Sequence, residues 1–108
     1  MRTYNSMLDA IQDLKRKNFK HNFKLNEANE MECLENGKTY STDQMRILRF
    51  FRFEGQSNPS DMSIVFAVIC DDGLKGIITS SYGPYADLKL LSFMDKVKIM
   101  EREEAEET

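Results

Sequence analysis

Tryptophan is absent from this 108-residue chain, histidine occurs once, cysteine and proline twice each, and glycine five times. Each shortage removes a class of explanation. A single histidine, His21, leaves no two-histidine metal site within one chain. His21, Cys33 and Cys70 could together supply three zinc ligands, but no pair has the spacing of two to four residues that structural sites use, so no metal or cofactor is expected. Both cysteines lie in strand-like apolar runs, where Cys behaves as a small hydrophobe. The longest near-continuous apolar run, Ile64 to Cys70, is seven residues and far too short to span a bilayer. The opening Met1-Arg2-Thr3-Tyr4-Asn5-Ser6 has no apolar core of a secretory signal. A cytoplasmic protein with reduced thiols and no membrane association is therefore expected.

Charge of one sign is also scarce in the body. The formal net charge is −3, yet Glu101 to Thr108 carry five Glu and one Arg. Taking those from 18 acidic and 15 basic residues leaves 13 against 14, a nearly neutral body with an acidic tail. A neutral body offers no clustered basic footprint for nucleic acid. The length suits one domain. The expected division is residues 1–100 as that domain and residues 101–108 as a frayed tail, where glutamates oppose the macrodipole of a helix end.

What is present is a clear succession of periodic segments. Ser6 is a good N-cap for a helix reaching about Lys17, with Met7, Leu8, Ile11 and Leu14 on one stripe and Asn18 at its end. Phe19, His21, Phe23 and Leu25 then alternate with polar residues, the period of a strand with one wet face. Met31 and Cys33 suggest a short second strand. Asn36-Gly37 suits a type I′ hairpin turn returning through Lys38 to Ser41, and Thr42-Asp43-Gln44 reads as a further turn. Met45 to Phe53 predicts an internal strand, with Met45, Ile47, Phe51 and Phe53 on one face and Leu48 and Phe50 on the other. Gly55 to Asp61 is a loop by composition. Ile64 to Cys70 should be the most buried strand, Asp71-Asp72-Gly73 turns the chain, and Leu74 to Ser81 returns. After Gly83-Pro84 a second helix starts at Asp87 or at Ser92, its apolar side formed by Leu90, Leu91, Met94, Val97 and Met100. Strands in succession with one helix at each end predict an α+β fold. Its expected form is an antiparallel meander of four to five strands, with both helices packed on one face.

Three stretches together carry a family resemblance. They are Tyr4-Asn5-Ser6-Met7; Phe51-Arg52-Phe53-Glu54-Gly55 with Asn58-Pro59-Ser60-Asp61; and Gly73-Leu74-Lys75-Gly76 through Tyr82-Gly83-Pro84-Tyr85-Ala86-Asp87. In their order and spacing the chain resembles a family of small bacterial proteins without established function, some of which carry the label phosphoribosylpyrophosphate synthetase. The chemistry of that label is not matched here. Asp71-Asp72-Gly73 is the one acidic pair ahead of a glycine, and it lacks the following small-residue loop and helix whose N–H groups would cradle a phosphate.

The candidate site residues lie at one rim. Glu54 and Asp61 bracket a polar loop and could hold a hard cation or act as acid and base; Asn58, Ser60 and Asp61 equally serve as turn caps bonding their own backbone. Tyr82 and Tyr85, with Arg52 beside Phe51 and Phe53, could grip a partner, or the rings could simply cover the core rim. The leading expectation is a non-enzymatic domain that binds a partner protein or a small molecule through Arg52, Glu54, Asp61, Tyr82 and Tyr85. An open sheet with two edges leaves homodimerisation available. The alternative is a minimal enzyme acting on a phosphorylated or nucleotide-like metabolite, with Glu54 or Asp61 as metal ligand or base.

Overall fold

The structure, a computed structural model, describes residues 7–53, 63–81 and 87–100. Chain order is α1 (Met7–Arg16), β1 (His21–Leu25), β2 (Met31–Cys33), β3 (Thr39–Tyr40), a single 3-10 turn (Thr42–Gln44), β4 (Met45–Phe53), β5 (Ser63–Cys70), β6 (Lys75–Ser81), α2 (Leu88–Asp95) and β7 (Lys98–Ile99). The seven strands form one mixed sheet of order β3-β2-β1-β6-β5-β4-β7, curled into a half-barrel.

This corrects the expected antiparallel meander of four to five strands. The long hairpins β4–β5 and β5–β6 are antiparallel as a meander requires, but β1 joins β6 in parallel, at His21↔Gly76 and Asn22↔Ile77. Likewise β7 joins β4 in parallel, at Arg46↔Lys98 and Ile47↔Ile99. Parallel neighbours need a long connection; here whole hairpins, and α2 before β7, supply it.

The helices sit on opposite faces, not one. Val65 and Ala67 of β5 and Ile77 of β6 pack with Leu14 of α1 and Phe19. Ile64, Phe66, Val68 and Cys70 alternate with them and pack with Leu90, Phe93 and Met94 of α2. Buried on both faces, β5 is the most enclosed strand, as its unbroken apolar run implies. Helix α1 ends where expected: Asn18 takes a left-handed φ of 76°. There Phe19 N–H reaches the Leu14 carbonyl at 3.0 Å and Asn18 N–H reaches Lys15 at 3.1 Å, which is a Schellman closure.

Three local expectations change. At the β2–β3 turn only Gly37 has positive φ (74°), so the turn is not type I′. Its N–H instead bonds the Cys33 carbonyl at 2.9 Å, and Cys33 N–H bonds Lys38 O at 2.8 Å. Helix α2 is capped by Asp87, whose Oδ1 accepts the Leu90 N–H, and stops at Asp95; the apolar residues beyond it, Val97 to Met100, form a turn and β7 instead. In β4 the register slips between Ile47 and Arg49. One extra residue in a period-two element reverses the faces beyond it. Met45 and Ile47 therefore face α2, whereas Leu48, Phe51 and Phe53 pack on the α1 side. No helix among the described residues is long and apolar enough to cross a membrane.

Candidate functional site at the open edge of β4

Strand β4 has nine residues, but β7 covers only Arg46 and Ile47, and Met100 N–H adds one bond to the Ile47 carbonyl at 2.9 Å. The pairing with β7 stops there, and β4 runs on to Phe53 beyond it. The bulge turns Phe50 and Arg52 toward α2, opposite Phe66 and Ile64 of β5. A cleft of about 280 Å³ opens there, bounded by Phe50, Arg52, Phe66, Leu91, Met94 and Ile99. Two of its walls are large apolar side chains left in solvent, Phe50 at 39% and Ile99 at 49% exposure. Phe50 leans on Phe66 (centroids 6.2 Å apart), and the Arg52 guanidinium lies 5.8 Å from the Phe50 ring centre. The cation thus sits over an aromatic face, an arrangement that keeps both groups in place at a wet surface. Asp95 of α2 also borders the cleft.

Arg52 is therefore a described member of the expected rim and lines this cleft. Glu54, Asp61, Tyr82 and Tyr85 lie outside the described residues. The register sets Phe53, Ser63 and Ser81 in one row at one end of the sheet. Phe50 and Ile99 escaped sequence reasoning. Spacing alone puts Phe50 opposite the Met45 and Ile47 face for want of any local bulge signature, and it gives no signal for Ile99.

The perturbed titratable groups lie elsewhere, around the β2–β3 hairpin. Asp72 is held below the usual carboxylate range by the Leu74 N–H, then by the Tyr40 hydroxyl (2.9 Å) and Lys38 (3.6 Å). Burial, then the Asp72 contact, raises the Tyr40 phenol, and burial pushes the Cys70 thiol up to about 12. Asn22, through its backbone and side-chain N–H groups, lowers Glu35. Cys33 and Cys70 are both free and buried. The His21 Nδ1 lies 3.1 Å from the Lys75 carbonyl oxygen, a contact that ties β1 to β6. Among the described residues no group of three His, Cys, Asp or Glu side chains could hold a metal ion. The hairpin cluster is accounted for as mutual hydrogen bonding at a sheet corner; the β4 cleft has exposed apolar walls that no internal contact explains.

The chain matches no family model, no curated protein and no solved structure.

Proposed function

We propose that this domain is a non-enzymatic binding module that takes an extended segment of a partner protein as an added strand along residues 49–53 of β4. The carrying observation is a solvent-facing phenylalanine, Phe50, in an apolar cleft on the part of β4 that β7 does not reach. Main-chain hydrogen bonds along an edge supply affinity, and pockets for alternate side chains supply selectivity.

Charge selects the segment. Arg49 pairs with Ala67 on the α1 face and Arg52 with Ile64 on the α2 face, with Phe50 between them on the α2 face. A strand added alongside would meet Arg49, Phe50, Phe51 and Arg52 in turn, so its complement reads acidic, apolar, any residue, acidic. The apolar side chain enters the cleft, and both carboxylates stay at the strand level beside the arginines, away from Asp95.

The test uses capped eight-residue peptides with a central Glu-Leu-Thr-Glu or its reversed order, titrated into the full chain and followed by amide NMR. Expected is saturable perturbation of residues 49–53, Leu91 and Ile99, weakened about tenfold or more by Phe50→Ala, since an anchor aromatic is commonly worth ~2 kcal/mol. A Lys-for-Glu peptide that binds equally well would overturn the charge assignment. Unperturbed β4 amides at millimolar peptide would overturn the site.

A further inference from the structure

Helix α2 borders a second cleft on its other flank, and that cleft has a different chemistry. Lys89, Ser92 and Lys96 are spaced three and four apart and so share one face of the helix and its C-cap. They oppose Ser41 and Thr42 at the start of the 3-10 turn and Asn29 of the β1–β2 loop, across a cleft of about 400 Å³. Leu88 and Phe93 complete the wall. Among the described residues no carboxylate lines it. The ammonium groups of Lys89 and Lys96 and the hydroxyls of Thr42 and Ser92 make no hydrogen bond or ion pair with other described residues. Elsewhere the chain pairs its lysines readily: Lys17 holds Asp13 at 3.2 Å and Lys38 reaches Asp72 at 3.6 Å.

We infer that this second cleft binds the phosphate monoester group of a small organic anion. Two unneutralised cations facing hydroxyl and carboxamide donors match a compact dianion with several acceptor oxygens. The volume falls within the range of ordinary ligand sites, and Leu88, 75% exposed, beside Phe93 offers an apolar shelf for the body of the ester. Lys89 also borders a neighbouring groove that contains Glu27, Glu32 and Asp87. Lys96 lines the phosphate cleft and not that groove, so it is the residue that discriminates between them. The site is independent of the β4 edge, and neither reading requires the other.

The probe is phenyl phosphate, titrated into the full chain by amide NMR, with benzyl alcohol as the neutral control. Expected is a saturable response confined to Thr42, Lys89, Ser92 and Lys96. Lys96→Ala should weaken it about tenfold, the usual effect of one charge-assisted contact, while Lys96→Arg retains most of it. Lys98→Ala, two residues on but outside the cleft, should change nothing, and Phe50→Ala should leave the response intact. Vesicles containing phosphatidic acid present the same group on a lipid. Retention on them that is lost in Lys96→Ala assigns a headgroup, and solution binding without retention assigns a soluble metabolite. A response spread over lysines such as Lys20 and Lys24, or one unchanged in Lys96→Ala, would overturn the inference.

Discussion

Gly76 is the hinge on which the mixed sheet can be tested, because it is where β6 accepts β1 in parallel. A methyl group placed on Gly76 would lie 2.5 Å from the His21 carbonyl oxygen, 3.1 Å from its carbon, and against Cε1 of Phe23. Favourable carbon contacts begin near ~3.5 Å, so strand or ring must retreat by the better part of an ångström. The Phe23 ring is buried and packs edge-on against Tyr40 at 6.1 Å, and the carbonyl belongs to the backbone, so neither can swing aside freely. Overpacking of this kind costs about 1–3 kcal/mol, with the upper half expected for a backbone clash. Against it stands the ~0.5–1 kcal/mol by which alanine ordinarily improves on glycine within a strand. The net expectation for Gly76→Ala is a loss of about 2 kcal/mol. In a domain of this size that lowers the thermal midpoint by roughly 8–16 °C. Thermal unfolding by circular dichroism reads the midpoint, and amide exchange should show protection lost first at Asn22 and Phe23. Gly73→Ala is the companion: its φ of +88° is strained for alanine, but nothing lies within 4 Å. It should cost about 1–2 kcal/mol through backbone conformation without loosening β1. If Gly76→Ala is neutral or stabilising, β1 does not abut β6 and the parallel seam is wrong.

Two further outcomes follow from the hairpin cluster. Asp72 is stabilised as the carboxylate by Leu74 N–H, Tyr40 and Lys38. Because its folded pKa is lowered, its contribution is present above the unfolded value near 3.8 and is lost as pH falls through the folded value. Tyr40→Phe should therefore cost about 1 kcal/mol at neutral pH and make the acid side of a urea-midpoint profile shallower; an unchanged profile would mean the 2.9 Å contact carries nothing. Cys33 and Cys70 are buried, and the Cys70 thiol is pushed up to about 12, so at pH near 8 it is overwhelmingly protonated and shielded. Reaction of Cys70 with a disulfide reagent, followed in a Cys33→Ala background, should proceed only at the rate of opening, and a fast stoichiometric burst from the native protein would refute its burial.

Much of the fold was legible because local physics decides it. The stripe Met7, Ile11, Leu14 with Asn18 beyond it gives α1 nearly to the residue, since a left-handed asparagine closes a helix by short-range bonds. The apolar run of β5 signals burial on both faces, and Asp87, one of the two starts the spacing allows, caps α2 through its own side chain. The parallel seams were not legible. Each is only two residue pairs long, between segments far apart in sequence, and nothing in the composition of His21-Asn22 or Lys98-Ile99 distinguishes them from a loop or a helix end. Val97 illustrates the ambiguity. It is buried as the helical stripe required, but its N–H bonds the Met94 carbonyl in a turn, and the chain leaves the helix to satisfy β4 instead.

The candidate site arises from the same illegible features, and that explains why spacing alone does not reveal Phe50 and Ile99 as its walls. Without the slip between Ile47 and Arg49, Phe50 would sit on the α1 face with Leu48, and Phe51 and Phe53 would continue the row of Met45 and Ile47 toward α2. The slip exchanges them: Phe51 and Phe53 go to the α1 core, while Phe50 and Arg52 come to the α2 side. A β7 long enough to follow β4 throughout would then have covered the edge. It pairs with two residues only, so the part of β4 that carries the exposed aromatic extends beyond β7. Edges of this kind are liabilities that a chain normally blunts with charge or a short terminal strand. Here β7 blunts the first part, and Arg49 and Arg52 flank Phe50 in the part beyond it, which favours an acidic strand.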